Sequence, residues 1–166
     1  MDLFEIAGLP LHPLIVHAVV VLIPLTALAL VLGALFPPVR RRLGIVTPVA
    51  ALIVAALVPV TILAGESLME EVGPIPQVLQ HEALGRMLPP WTISLFLVAA
   101  AQWSWYRFGA RPAQARTAEG TAVQGPPARA DRIAAAVFAV LSLVVAAGST
   151  IMVVLIGESG ARAVWG

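Results

Sequence analysis

The chain has 166 residues, 60% of them hydrophobic and 11% charged, whereas soluble domains carry about 25% charge; this excludes an ordinary aqueous globule and makes a lipid bilayer the expected partner. Ten basic residues, all arginine, against nine acids leave a formal charge of +1, which gives no electrostatic reason to expect nucleic acid as a partner. Cysteine is absent, so disulfides, iron–sulfur clusters and thiolate-held metals are excluded, leaving histidine, carboxylates, methionine and backbone groups as ligands.

The opening stretch MDLFEIAG is acidic and lacks the basic region and cleavage site of a secretory peptide, so the first apolar run is expected to be a retained helix. Four such runs follow, at 13–36, 43–64, 90–106 and 133–156, each near the ~20 residues that a spanning helix needs. Pro13 suits a first helical turn. Pro24, Pro48 and Pro59 predict local bends, because neighbouring helices can satisfy the carbonyls that proline frees. Arg40, Arg41 and Arg42 fill the first connection. The second carries Glu66, Glu70, Glu71 and Glu82 against Arg86, and its segment 75–88 predicts a short amphipathic helix on the outer interface, stopped by Pro89 and Pro90. The third connection, 109–131, is rich in glycine, proline and arginine without apolar periodicity, and is expected to be a flexible cytoplasmic loop. Arginine placement then puts the first and third connections inside and both termini outside.

In the fourth span, Ala135, Ala139, Ser142, Ala146, Ser149 and Val153 form a small-residue seam of the kind that packs helices closely in lipid. It faces another span of the chain, a second copy or a membrane-protein partner. The second and fourth spans close on LAGESLMEEVG and LIGESGARAVWG, and the shared Gly-Glu-Ser suggests two repeated, parallel-related helical hairpins. The fold expectation is all-α: a four-transmembrane-helix bundle.

His12 and His17 are five residues apart and so point about 140° apart on a helix, which is not a ligand-pair spacing. With Pro13 opening the helix, His12 is expected at the interface and His17 inside the bundle, since an ionisable ring facing lipid is costly. His81 would arrive from the outer amphipathic segment. His17 and His81 are therefore the candidate ligands of a b-type haem, and with Glu66 and Glu158 the candidate ligands of a divalent metal. Both carboxylates fall at outer helix ends, opposing the helix dipole, and each needs a proton or cation; Arg162 is one turn from Glu158, and Arg86 can serve Glu66 or Glu82. The expected function is electron transfer at an outward-facing His/Glu site. A non-catalytic scaffold or accessory subunit is the competing class, and proton-coupled transport a third. Ser67 and Ser159 do not form a nucleophile elbow, and Thr61, Gln102, Ser142 and Ser149 do not make a continuous pore stripe by spacing.

The segments LPLHPLIVH and GESGARAVWG resemble the two ends of the bacterial membrane-protein family of unknown function 2231, which opens on His-Pro-x-x-Val-His and closes on Gly-His-x-Gly-Gly. The matching positions are His12, Pro13, Val16 and His17, then Gly157, Gly160 and Gly166. Ala18 and Val19 stand where the family often has an aromatic and a proline, and Glu158 where it often has a histidine. The resemblance covers roughly 9–166 apart from the long loop, and implies a four-helix protein of the bacterial inner membrane.

Overall fold

The computed structural model describes residues 5–6, 9–109, 115–118, 121–124 and 129–165. Six α-helices dominate: α1 (Leu11–Leu35), α2 (Pro37–Leu43), α3 (Val46–Val72), α4 (Pro76–Gly85), α5 (Pro89–Ser104) and α6 (Arg129–Trp165), with a π-helical turn, Trp105–Gly109, after α5. Two short antiparallel pairings accompany them: β1 (Glu5–Ile6) with β2 (Leu9–Pro10), and β3 (Ala115–Ala118) with β4 (Thr121–Gln124). The second pairing lies within the third connection. Its strands are two residues apart in sequence, the commonest hairpin spacing.

Proline and glycine set the helix ends. Phe36 is extended before Pro37, the conformation that a following proline favours, and this separates α1 from α2. Gly73, at φ 90°, ends α3. Pro76 opens α4, which ends at Gly85; Pro89 and Pro90, expected to stop that helix, instead form the first turn of α5. α3 runs to Val72, past the expected end at 64, because its last two turns leave the apolar zone without leaving the helix.

The stretches containing α1, α3, α5 and α6 are long and apolar enough to cross a membrane, with mean hydropathies of 2.7, 2.4, 1.3 and 2.6. Their apolar residues continue around the outer surface: Leu25, Leu28, Leu52, Leu97 and Val154 are all more than half exposed. A helix apolar on every side is suited to a hydrocarbon solvent. Around the bundle, α1 packs on α3 and α6, and α5 on the same two, while α3 and α6 are diagonal. α4 lies across one end and rests on both diagonal helices, chiefly α6.

The interior has two layers. Val19, Ile23, Val54, Val58, Leu88, Met152 and Val153 fill the end nearer α4, and Ala27, Leu30, Ala51, Leu95, Ala99 and Val145 fill the other. Ser142, Ser149 and Val153 of the α6 seam are buried within the chain's own bundle, so that part of the seam packs intramolecularly. Close approach is sharpest at Gly148, where a Cβ would lie 1.9 Å from Cζ3 of Trp91. The glycine is a notch that admits the indole.

Candidate functional site

Under α4, side chains from α1, α3, α4 and α6 line a cavity of about 520 Å³. Its wall is mainly apolar, including Val16, Val19, Val58, Ile62, Met69 and Val153, and His12, His17, Glu66, His81 and Glu82 also reach it. A volume of this size suits a small organic cofactor.

Two histidines are held there in matching ways. His12, in the first turn of α1, crosses to α3 and places Nδ1 2.8 Å from the carbonyl oxygen of Thr61. The ring lies over Gly65, one turn further along α3, where an added Cβ would be 2.9 Å from its Cε1 and Nδ1. His81 of α4 crosses to α6 and places Nδ1 3.1 Å from the carbonyl of Ile156 and 3.0 Å from Oγ of Ser159. Its ring lies over Gly160, again one turn along, with Cε1 3.0 Å from an added Cβ. In both cases the pattern is a carbonyl followed four residues later by a bare glycine.

A carbonyl can only accept, so Nδ1 donates in both rings, and in the neutral ring Nε2 carries the lone pair. Neither Nε2 makes a hydrogen bond to the described residues. The ring centroids are 6.0 Å apart and the planes nearly perpendicular, at 88°. Burial first, and then the neighbouring His12, push the His81 imidazole below its ordinary value, against the opposing pull of the Ile156 carbonyl. Both effects favour the neutral, ligating form.

His17 is placed differently from expectation. It is exposed at the cavity edge, and its Nδ1 is 2.6 Å from the carbonyl of Pro13 on its own helix. Because α1 begins at Leu11, His12 is already helical and faces α3. The 140° between the two rings then turns His17 outward, so the half-buried ring is His12.

The carboxylates are engaged in ion pairs. Arg86 Nη2 bridges Glu66 at 2.8 Å and Glu82 at 2.7 Å, tying α4 to α3. Arg162 pairs with Glu158 at 2.6 Å on the exposed face of α6. Glu66 lies on the cavity wall and Glu158 does not. Among the described residues no three His, Asp or Glu side chains converge as metal ligands, so the set His17, His81, Glu66 and Glu158 is not assembled. Hydroxyls of the interior and the cavity wall are spent locally: Thr61 donates to Leu57, Thr92 to Pro89 and Ser149 to Val145, all backbone carbonyls of their own or an adjoining turn.

The repeated Gly-Glu-Ser is out of register with this geometry. It aligns Gly65 with Gly157, yet a Cβ at Gly157 would meet nothing within 4 Å. The counterpart of Gly65 is Gly160, almost a full turn later. Sequence reasoning missed His12, Gly65 and Gly160 as one device; its visible trace is a histidine immediately before Pro13, at the start of the first apolar run.

His12 and His81 are the residues that could hold a metal or a haem iron at this cavity through their unengaged Nε2 atoms, and donation from Nδ1 to a carbonyl is the usual outer-shell support of such a ligand. No protein-family model, curated protein or solved structure matches the chain. The fold defines a four-helix bundle of membrane type, and the functional argument rests on this site's chemistry.

Proposed function

We propose that the protein binds b-type haem at the α4 end of the bundle, with His12 and His81 as the two iron ligands, and serves electron transfer in the membrane. The observation that carries this reading is the pair of imidazoles from different helices, each fixed through Nδ1, each with Nε2 unengaged, beside an apolar cavity. Bound there, haem supplies a one-electron couple. The chain's own residues do the rest: Thr61 and Ile156 orient the rings, Gly65 and Gly160 let them approach, and the valine-rich wall excludes water. Membership of the resembled bacterial family, a place in the inner membrane and outward orientation of this end belong to the same proposal. The histidine motif and the arginine-rich opposite end support them.

Absorption spectroscopy after reconstitution with haem tests the reading. Wild type and H17A are expected to show a Soret band with the sharp reduced-state bands of two nitrogen ligands, and H12A and H81A to lose them. A colourless wild type, or bands unchanged in both H12A and H81A, overturns the proposal. A second reading has its own support, because each ring already fastens two helices together. In that reading the protein is a scaffold or accessory subunit; H12A and H81A then lower the unfolding temperature of a protein that takes up no haem.

A further inference from the structure

The end of the bundle remote from the histidines holds a second unexplained cluster. Arg40 of α2 is half-buried, with its guanidinium carbon 3.5 Å from the centroid of the Tyr106 ring and Nη1 3.3 Å from the carbonyl oxygen of Gly33. Among the described residues no carboxylate lies within ion-pair distance of it. Arg41 and Arg42 follow it, Arg107 sits in the π-helical turn, and Arg129 and Arg132 begin α6, where Asp131 is the one acid among the described residues of this end. In the same turn, Nε1 of Trp105 and the hydroxyl of Tyr106 are buried and have no hydrogen-bond partner among the described residues.

Guanidinium, indole and phenol each offer a hydrogen, and among the described residues the guanidinium meets a carbonyl and a ring face but no counter-charge. The missing complement is therefore acceptor-rich and anionic, because a desolvated cation without a counter-charge is costly. Beside apolar spans, at the boundary between hydrocarbon and water, an anionic phospholipid presents that chemistry. We propose that the Arg40–Tyr106 corner binds the phosphate of an anionic phospholipid headgroup, with Arg40 as its anchor. Orientation in the membrane needs only positive charge in the connection. A headgroup site also needs the planar fork of the guanidinium, which lysine cannot replace.

The test uses the full chain in nanodiscs of phosphatidylcholine with or without phosphatidylglycerol, and native mass spectrometry of the lipids it retains. Wild type is expected to retain phosphatidylglycerol over phosphatidylcholine by about fivefold, the effect of one basic residue at an anionic surface. R40Q should abolish the preference and R40K reduce it, whereas R162Q, at the far end, should leave it intact. No preference in wild type, or equal loss in R162Q and R40Q, overturns the proposal. Displacement of the lipid by inorganic phosphate at constant ionic strength marks a free-anion site and also overturns it. Should R40Q not fold, R40K decides: a reduced preference supports the site, and an unchanged one removes it.

Discussion

The two glycines of the repeated Gly-Glu-Ser should respond oppositely to alanine. In G65A the new methyl would lie 2.9 Å from Cε1 and Nδ1 of His12, well inside the ~3.5–4.0 Å of a relaxed contact. The ring must retreat, and it cannot do so while keeping its 2.8 Å bond to Thr61. Overpacking of this kind costs about 1–3 kcal/mol, and loss of the hydrogen bond adds ~1 kcal/mol. Alanine's better helix propensity returns about 0.5–1 kcal/mol, so G65A is expected to destabilise by roughly 1–3 kcal/mol. At Gly157 nothing lies within 4 Å, so only the propensity gain remains and G157A should stabilise by about 0.5–1 kcal/mol. Thermal or denaturant unfolding in one detergent, followed by circular dichroism, compares the two directly. The haem titration of G65A should weaken in parallel. Equal losses in both variants, or a G65A as stable as wild type, would refute the argument that His12 is seated on Gly65.

Three further outcomes are expected. G148A, whose methyl would overlap Trp91 at 1.9 Å, should cost about 3 kcal/mol or more, and W91L in the same chain should recover part of that loss in a double-mutant cycle. Stability of the haem-free protein should depend on pH through His81. The unfolded imidazole titrates near ~6.5 and the folded one lower, so the unfolded state binds more protons between the two values. That contribution is complete above the ordinary imidazole range and lost as pH falls through the folded value; H81Q should flatten this part of the profile. R86Q removes only exposed ion pairs to Glu66 and Glu82, so global stability should change by ~1 kcal/mol or less, while hydrogen exchange in α4 should quicken.

Hydropathy revealed the four spans because lipid-facing residues must be apolar whatever their neighbours are. It located the exit from the apolar zone and not the helix end, which is why α3 continues to Val72 beyond the expected 64. The partners of Glu158 and Glu66 were legible, since Arg162 is one turn away and Arg86 is the one basic residue of its connection. The phase of α1 was not. Its apolar residues continue around the whole helix, so the sequence does not mark which face turns inward, and it is His17 that falls on the outer one. Gly160 was hidden for a related reason: Gly-Glu-Ser aligns by letters, whereas the ring contacts align by the carbonyl that each imidazole reaches.

The position of α4 explains why a segment outside the apolar spans is needed for the site. In the ring of spanning helices α3 and α6 are diagonal, each packing chiefly on α1 and α5, and the cavity lies between their ends at this side of the bundle. α4 lies over that cavity, held to α3 through Arg86 and Glu66 and to α6 through His81, Ile156 and Ser159. His12 enters from α1, between the same two helices. The histidine pair exists only while α4 is seated, since one ring belongs to the bundle and the other to its cover. Closing the apolar cavity and bringing the second imidazole to the first are therefore one structural event, and loosening the cover should weaken the proposed haem ligation before it unfolds the spans.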